Sequence, residues 1–303
     1  MVFAEATLTA DIRRVCGAYG PAERLYGGEE SAAWRVADKV VRIGASTTDP
    51  AELAIGAASW CHRVATAARD QGCAEAVTPL QLPGGTGTVT LVGNRVVSLW
   101  PYIDGVWPAA ADVTTAPAAA RLLGRLHRAL AGASVGARPK PCFLEPGLDG
   151  RASYADPLLH DPRLDAWLAE FSAEAGPRHP LHGDYYRGNL LAARDGSGRL
   201  IAVLDWDEAF VGRPEIEVAS AVLEFSGEFR FDPVRLRSFT ENYIAAGGTA
   251  ERLDEETLVQ LMRHRLRRES VYFVQASARG LAQDEEDLDY HRRRLAAFGQ
   301  LRP

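Results

Sequence analysis

The residues of this chain whose types and spacing can do chemistry are Asp184, Asn189 and Asp205. The run His182-Gly183-Asp184-Tyr185-Tyr186-Arg187-Gly188-Asn189 sets an aspartate five residues ahead of an asparagine, and Asp205 follows the apolar run Leu200-Ile201-Ala202-Val203-Leu204. If that run is a strand returning from the turn Asp195-Gly196-Ser197-Gly198, the three oxygen-bearing side chains meet at one edge. Hard oxygen donors suit Mg²⁺, which takes one or two protein ligands and fills its shell with phosphate oxygens and water. Asn189 and Asp205 are then the metal ligands, and Asp184 is left to orient a hydroxyl and accept its proton, the division of labour used in phosphoryl transfer. Aspartate and asparagine also cap helices and form Asx turns, so the residue types alone do not decide. His182 reads as a hydrogen-bonded scaffold of the loop, because its neighbours already supply the acid–base chemistry.

This hairpin interrupts a half of the chain that otherwise reads as helix. Ala119, Leu122, Leu123, Leu126 and Leu130 form one stripe at helical spacing and predict a helix over Thr115 to Ala131. Leu164, Trp167, Leu168 and Phe171 repeat the pattern after an Asp161-Pro162 start. Further helices are predicted at about 215–225, 233–246, 255–281 and 285–298. Residues 8–99 read instead as short strands with one helix: strand, glycine turn and strand over 25–36, a β-rich run Lys39-Val40-Val41-Arg42-Ile43, and a hairpin over 86–100 around Gly93-Asn94. The helix is predicted from Asp49-Pro50 to about Ala68, with Asp49 as N-cap and Pro50 at its first position. The expected division is a first lobe over 1–99, a link over 100–105 and a second lobe over 106–303.

With 303 residues, 47% hydrophobic and 24% charged, the chain has a globular composition and the length for two lobes. Its net charge of −6 divides as −1 over 1–99 and −5 over 100–303, so neither part has the basic character of a nucleic-acid binder. Four cysteines without a C-x-x-C pair fit free thiols in a reducing compartment. The N-terminal segment lacks the basic start of a secretion signal, and no apolar run approaches the roughly 18 residues of a membrane span, so a cytoplasmic protein is expected. Only Lys39 and Lys140 are lysine among 34 basic residues. That bias, with abundant alanine, points to GC-rich bacterial coding.

His182-Gly183-Asp184 with Asn189, followed by Leu204-Asp205-Trp206, resembles the signature of the aminoglycoside phosphotransferase and choline kinase family, small-molecule relatives of the protein kinases. Gly27-Gly28 and Ser31 resemble the family's phosphate-covering hairpin, Val40-Val41-Arg42 its third strand, and Leu99-Trp100-Pro101-Tyr102 its inter-lobe link. Leu123-Gly124-Arg125-Leu126-His127 looks like its first large-lobe helix. The likeness covers roughly residues 20 to 245. It implies an α+β, two-lobed, protein-kinase-like fold: a small antiparallel sheet with one main helix, and a larger, mostly helical lobe.

The resemblance also implies a nucleotide site holding ATP or GTP. Strand alternation puts Val40 and Arg42 on one face, so Arg42 is the candidate for the phosphate-binding cation and Val40 for the residue packed on the base, with Gly28 and Ser31 over the phosphates. Pro101, Tyr102 and Ile103 would offer backbone groups to the purine edge. The acid that family members place on the following helix falls near Gly56 here. Glu52 is then either the partner of Arg42 or a first-turn glutamate complementing the helix dipole. Glu217 sits where the family commonly has a structural aspartate. Asp207 and Glu208 either line the acceptor pocket or bond to the loop backbone.

Two charge runs point in opposite directions: the acidic 284–289 segment suits a cationic acceptor or a capped helix start, and the basic 263–268 segment suits an acidic acceptor or a helix face paired with its own neighbours. The resulting expectation is a Mg²⁺-dependent phosphotransferase acting on a small-molecule hydroxyl, with an antibiotic such as an aminoglycoside or another sugar-bearing compound as acceptor. A metabolic kinase for homoserine, choline or a sugar is the alternative enzyme, and a catalytically dead nucleotide-binding module the alternative class. Neither a nucleic-acid nor a membrane partner is expected, and a monomer fits the size.

Overall fold

A computed structural model describes residues 6–25, 31–85, 87–109, 114–141, 157–225, 229, 231–278 and 284–302. The chain forms a two-lobed α+β fold. Helix α1 (Ala10–Cys16) precedes strands β1 (Glu23–Leu25), β2 (Ser31–Val36) and β3 (Lys39–Ser46). Helix α2 (Ala51–Asp70) follows, then strands β4 (Val89–Val92) and β5 (Arg95–Pro101). The five strands make one antiparallel sheet in the order β1-β2-β3-β5-β4. Alternation sends Val41 and Ile43 into a small core with Leu8, Ile12, Val97 and Leu99, while Val40 and Arg42 take the opposite face, as the sequence predicts.

The second lobe contains α3 (Thr115–Ala131), α4 (Pro162–Ala173), α5 (Pro214–Phe225), α6 (Pro233–Ala245), α7 (Glu255–Ala278) and α8 (Glu285–Gln300). Two short antiparallel pairs are set among them: β6 (His179–Leu181) with β9 (Phe210–Gly212), and β7 (Leu190–Ala192) with β8 (Leu200–Val203). Leu122, Leu126, Leu190, Val203, Trp206 and Leu258 share a large core. Trp60, Cys61 and Val64 of α2 belong to that same core, so the helix between β3 and β4 is anchored on the larger lobe.

Three expectations are corrected. Helix α1 is a second helix in the first part of the chain, capped by Thr9, whose Oγ1 accepts the Ile12 N–H, and closed by Gly17 at φ 58°. Pro50, not Asp49, is the N-cap of α2 and makes no side-chain cap; the Asp49 carboxylate is taken up by Lys140 at 2.7 Å. The β6–β9 pairing is one that the sequence reading does not contain.

Candidate active site

The β6-to-β9 segment brings the three chemical residues together. Leu190 faces Val203 in the β7–β8 ladder, and the Leu204 N–H donates to the Asn189 carbonyl at 2.8 Å, so the asparagine and the end of the returning strand lie side by side. His182 ties the loop to that strand: Nε2 donates to the Leu204 carbonyl at 2.7 Å, Nδ1 accepts the Asp184 N–H at 3.3 Å, and the ring lies 4.8 Å from the buried Trp206 ring. Both ring nitrogens are committed, which makes His182 the scaffold its position suggested. Gly183 is obligatory. Its φ is +87°, and a Cβ there would sit 2.0 Å from the Glu208 carbonyl oxygen.

Glu217 of α5 is the anchor beneath the loop. Its carboxylate accepts the His182 N–H at 3.1 Å, the Gly183 N–H at 2.5 Å and His127 Nε2 at 2.8 Å, with Tyr243 on the other ring nitrogen of His127. Burial works against this carboxylate, yet the bonds from His127 and the loop outweigh it and hold its pKa below the usual value. A glutamate therefore fills the structural place where the family resemblance implied aspartate.

Asp184 sits between two donors. The Asn189 Nδ2 reaches both its carbonyl and Oδ2 at 2.9 Å, and Arg265 of α7 bonds Oδ1 through Nη2 at 2.8 Å while Nη1 bonds the Gly183 carbonyl at 3.0 Å. Burial raises the Asp184 pKa, with Asp205 adding to the rise and Arg265 and His182 opposing it. Arg265 is itself held by Glu269, which also takes Arg294 of α8 at 3.1 Å. Sequence reasoning missed Arg265 as a site residue. The signal was there, a dense arginine run, but nothing in the pattern says which arginine turns toward a loop 81 residues away.

Asp205 adopts φ 57°, a left-handed conformation that aspartate tolerates better than most residues and that is common where a loop aims a functional side chain. Both its oxygens accept from Arg42 Nη2, at 2.7 and 2.8 Å. Arg42 Nε donates to Ser31 Oγ at 2.8 Å, and Nη1 lies 3.0 Å from Asp207 Oδ1. Burial disfavours the Arg42 cation, but Asp205 and Asp207 outweigh it and raise its pKa. Arg42 thus joins Ser31 and Asp205 in one bonded group.

The donor set fits a hard divalent cation. With its Nδ2 turned to Asp184, Asn189 keeps its amide oxygen as an acceptor, and Asp205 supplies a carboxylate paired with the Arg42 guanidinium. One carboxylate and one amide oxygen are what Mg²⁺ takes beside phosphate and water.

Other expected residues fall elsewhere. Glu52 is exposed in the first turn of α2 and does not touch Arg42, so of its two readings the dipole-complementing one matches its place. Asp207 and Glu208 border a cavity of about 260 Å³ with Ser31, Arg42, Ala57, Ala58 and Cys61, between the sheet and α2. Of the three candidates in the link, Pro101 has no N–H and the Tyr102 N–H is used by the Asp38 carbonyl at 2.8 Å, which leaves Ile103. Val40 faces Trp100 across the β3–β5 ladder, on the same side of the sheet as Arg42. Gly28 lies outside the described residues. The basic run is paired with the start of α4, Arg263 with Asp161 and Arg267 with Asp165, and the acidic run is a capping box opening α8.

Comparison with known proteins bears on the family and the fold. A family model described as a phosphotransferase enzyme family matches residues 22–258. No curated protein sequence matches the chain. Among solved structures, a choline/ethanolamine kinase family protein from Mesorhizobium loti is 19% identical, with a TM-score of 0.59 over 96% of this chain and 97% of that one. A thermostable mutant of an aminoglycoside phosphotransferase, in ternary complex with AMP-PNP and hygromycin B, is 17% identical with a TM-score of 0.61, covering 97% and 98%. An amicoumacin kinase in complex with AMP-PNP and Ca²⁺ is 12% identical with a TM-score of 0.66, covering 93% and 89%.

Proposed function

This chain belongs to the phosphotransferase enzyme family, and we propose that it moves the γ-phosphoryl group of ATP or GTP to a hydroxyl of a small molecule with the help of Mg²⁺. The observation that carries the reading is the convergence of Asp184, Asn189, Asp205 and Arg42 on one cleft between the lobes. A dead binding module of the same fold would lack at least one of these groups.

In this mechanism Arg42 binds the phosphates and Ser31 fixes its guanidinium from the sheet side. Ile103 offers its N–H to the purine edge, and Val40 packs beneath the base. Asn189 and Asp205 would hold Mg²⁺, which when bound neutralises phosphate charge. Asp184 does the acid–base work. Arg265 clamps Oδ1, and Oδ2, bonded to Asn189, faces the position from which an acceptor hydroxyl gives up its proton. Because Glu217 holds the Gly183 and His182 amides, the Asp184 carboxylate stays in place while the phosphoryl group passes.

The acceptor we favour is an antibiotic, an aminoglycoside or another sugar-bearing compound, since two of the similar structures are an aminoglycoside phosphotransferase and an amicoumacin kinase. A metabolic acceptor such as choline is the second reading, favoured by the choline/ethanolamine kinase family likeness. No described helix is long and apolar enough to cross a membrane, and we place the enzyme in the cytoplasm, with its nucleotide. The deciding experiment incubates the protein with Mg²⁺, ATP or GTP and a panel of antibiotics and metabolites, and looks by mass spectrometry for gain of one phosphoryl group. Phosphorylation of none, with no nucleotide turnover, would sink the enzyme reading.

A further inference from the structure

The acid that a phosphate-binding cation needs at its back is absent from α2. The helix turns Ala57, Ala58, Cys61 and His62 toward the cavity beside Arg42, and its Glu52 is exposed. A cavity of about 260 Å³ stands between these small side chains and the sheet. The second carboxylate on Arg42 comes from the other lobe: Asp207 Oδ1 lies 3.0 Å from Nη1.

We propose that Asp207 is the positioning residue of the nucleotide site, holding Arg42 in the cleft in the role the helix acid does not fill; this rests on the phosphotransferase reading above. Asp207 is fixed for the task by its own backbone. Its carbonyl accepts from Arg138 Nη2 at 2.9 Å and from the Cys61 thiol at 3.4 Å, tying the turn after β8 to α2 and to the 138 segment. Asp205 holds Arg42 too, but it has a second role. In the proposed reaction Asp205 also ligates the metal, and its lone pairs are then shared between that cation and the guanidinium, whereas Asp207 is assigned no metal. The forked base follows from the same layout. An arginine presents Nη1 and Nη2 to two carboxylates at once and Nε to Ser31, whereas a lysine is a point charge that cannot span the three.

The test measures affinity for AMP-PNP with Mg²⁺ by isothermal titration in the wild type, Asp207→Asn, and Asp207→Asn combined with Ala57→Glu or Ala58→Glu. The asparagine is isosteric, and equal melting temperatures check that the fold is kept. Loss of a charge-assisted contact weakens binding by about tenfold or more in Asp207→Asn. A glutamate reaching into the cavity from α2 restores most of that loss in at least one double variant, which a merely structural role for Asp207 would not allow. Wild-type affinity in Asp207→Asn, or a loss that neither glutamate recovers, overturns the proposal. A wild-type protein that binds no AMP-PNP instead overturns the phosphotransferase reading beneath it.

Discussion

Arg42 and Asp205 hold each other across the two lobes, with Nη2 at 2.7 and 2.8 Å from the two carboxylate oxygens. In the proposed reaction each partner has a second task, the cation at the phosphates and the carboxylate at the metal. The pair therefore acts as a latch that keeps both side chains aimed into the cleft. Arg42→Ala should lose about ten- to a hundredfold in nucleotide affinity or catalytic efficiency, the worth of a charge-assisted contact of roughly 1.5–3 kcal/mol. Lys39→Ala should change neither quantity by more than about twofold, because a solvated strand-end charge contributes little. Titration of AMP-PNP into both variants checks this. A loss confined to the Lys39 variant would move the phosphate site to that residue.

Asp205 and Asp184 should fail in different ways. Asp205→Ala removes the one anionic ligand of the candidate metal site, so Mg²⁺-dependent nucleotide binding and turnover both disappear. Asp184→Asn keeps the bonding shape toward Asn189 and leaves nucleotide binding within about threefold, while turnover falls on the order of 10²–10⁴. Binding titrations beside steady-state kinetics separate the two. Nucleotide affinity lost in the Asp184 variant would make that residue a ligand instead of a base.

Arg265 bears on both the fold and the chemistry. Its guanidinium spans Asp184, the Gly183 carbonyl and Glu269, so Arg265→Met leaves the Asp184 carboxyl without its cation and Glu269 with Arg294. Breaking such a pair from one side destabilises by about 3–5 kcal/mol at full burial, and by less here because Asp184 is 28% exposed. Arg265 opposes the rise that burial imposes on the Asp184 pKa. Its removal therefore lets the base protonate at higher pH, and the acid limb of the turnover profile moves upward. Arg265→Lys restores part of the charge and moves the limb back. Profiles that coincide for wild type and Arg265→Met would show that Arg265 does not act on the base.

The catalytic hairpin was legible because its chemistry, its turn and its apolar strand are contiguous: Asp184, Asn189 and Asp205 lie within 22 residues and one ladder joins them. Val40 and Arg42 were legible through the two-residue period of a strand. What the sequence withheld depends on partners distant in the chain. Arg42 meets Asp205 at a separation of 163 residues and Arg265 meets Asp184 at 81, and no local pattern encodes either contact. Asp207 was open between lining an acceptor pocket and bonding the loop backbone, and neither reading contained its contact with Arg42. Helix α1 was legible in principle, since Thr9 and Gly17 are ordinary cap signals. At seven residues its apolar period is too short to stand out.

Two buried histidines give the stability of the protein a pH dependence that can be isolated. His62 bonds Thr88 Oγ1 through Nδ1 at 2.7 Å and meets the Trp100 ring edge-on at 5.0 Å. Burial, with Arg42 nearby, lowers its pKa to about 3, and burial, with His127, lowers that of His179 to about 4. The unfolded chain binds a proton at each site near pH 6.5, which the native state refuses, so stability falls as pH drops below that value, by about 1.4 kcal/mol per pH unit for each histidine. Glu224 works in the opposite sense. Burial and Glu269 raise its pKa from 4.5 to about 8, so the native state holds a proton there that the unfolded chain releases, and stability rises as pH falls between those values. The wild-type slope is therefore shallow, and the informative quantity is a difference. His62→Gln keeps a bond to Thr88 and cannot titrate. Between pH 7.5 and pH 5.0 the wild type should lose about 2 kcal/mol more than this variant in denaturant unfolding. Parallel curves for the two proteins would mean that His62 takes up its proton in the native state, and that the Thr88 and Trp100 contacts do not keep it neutral.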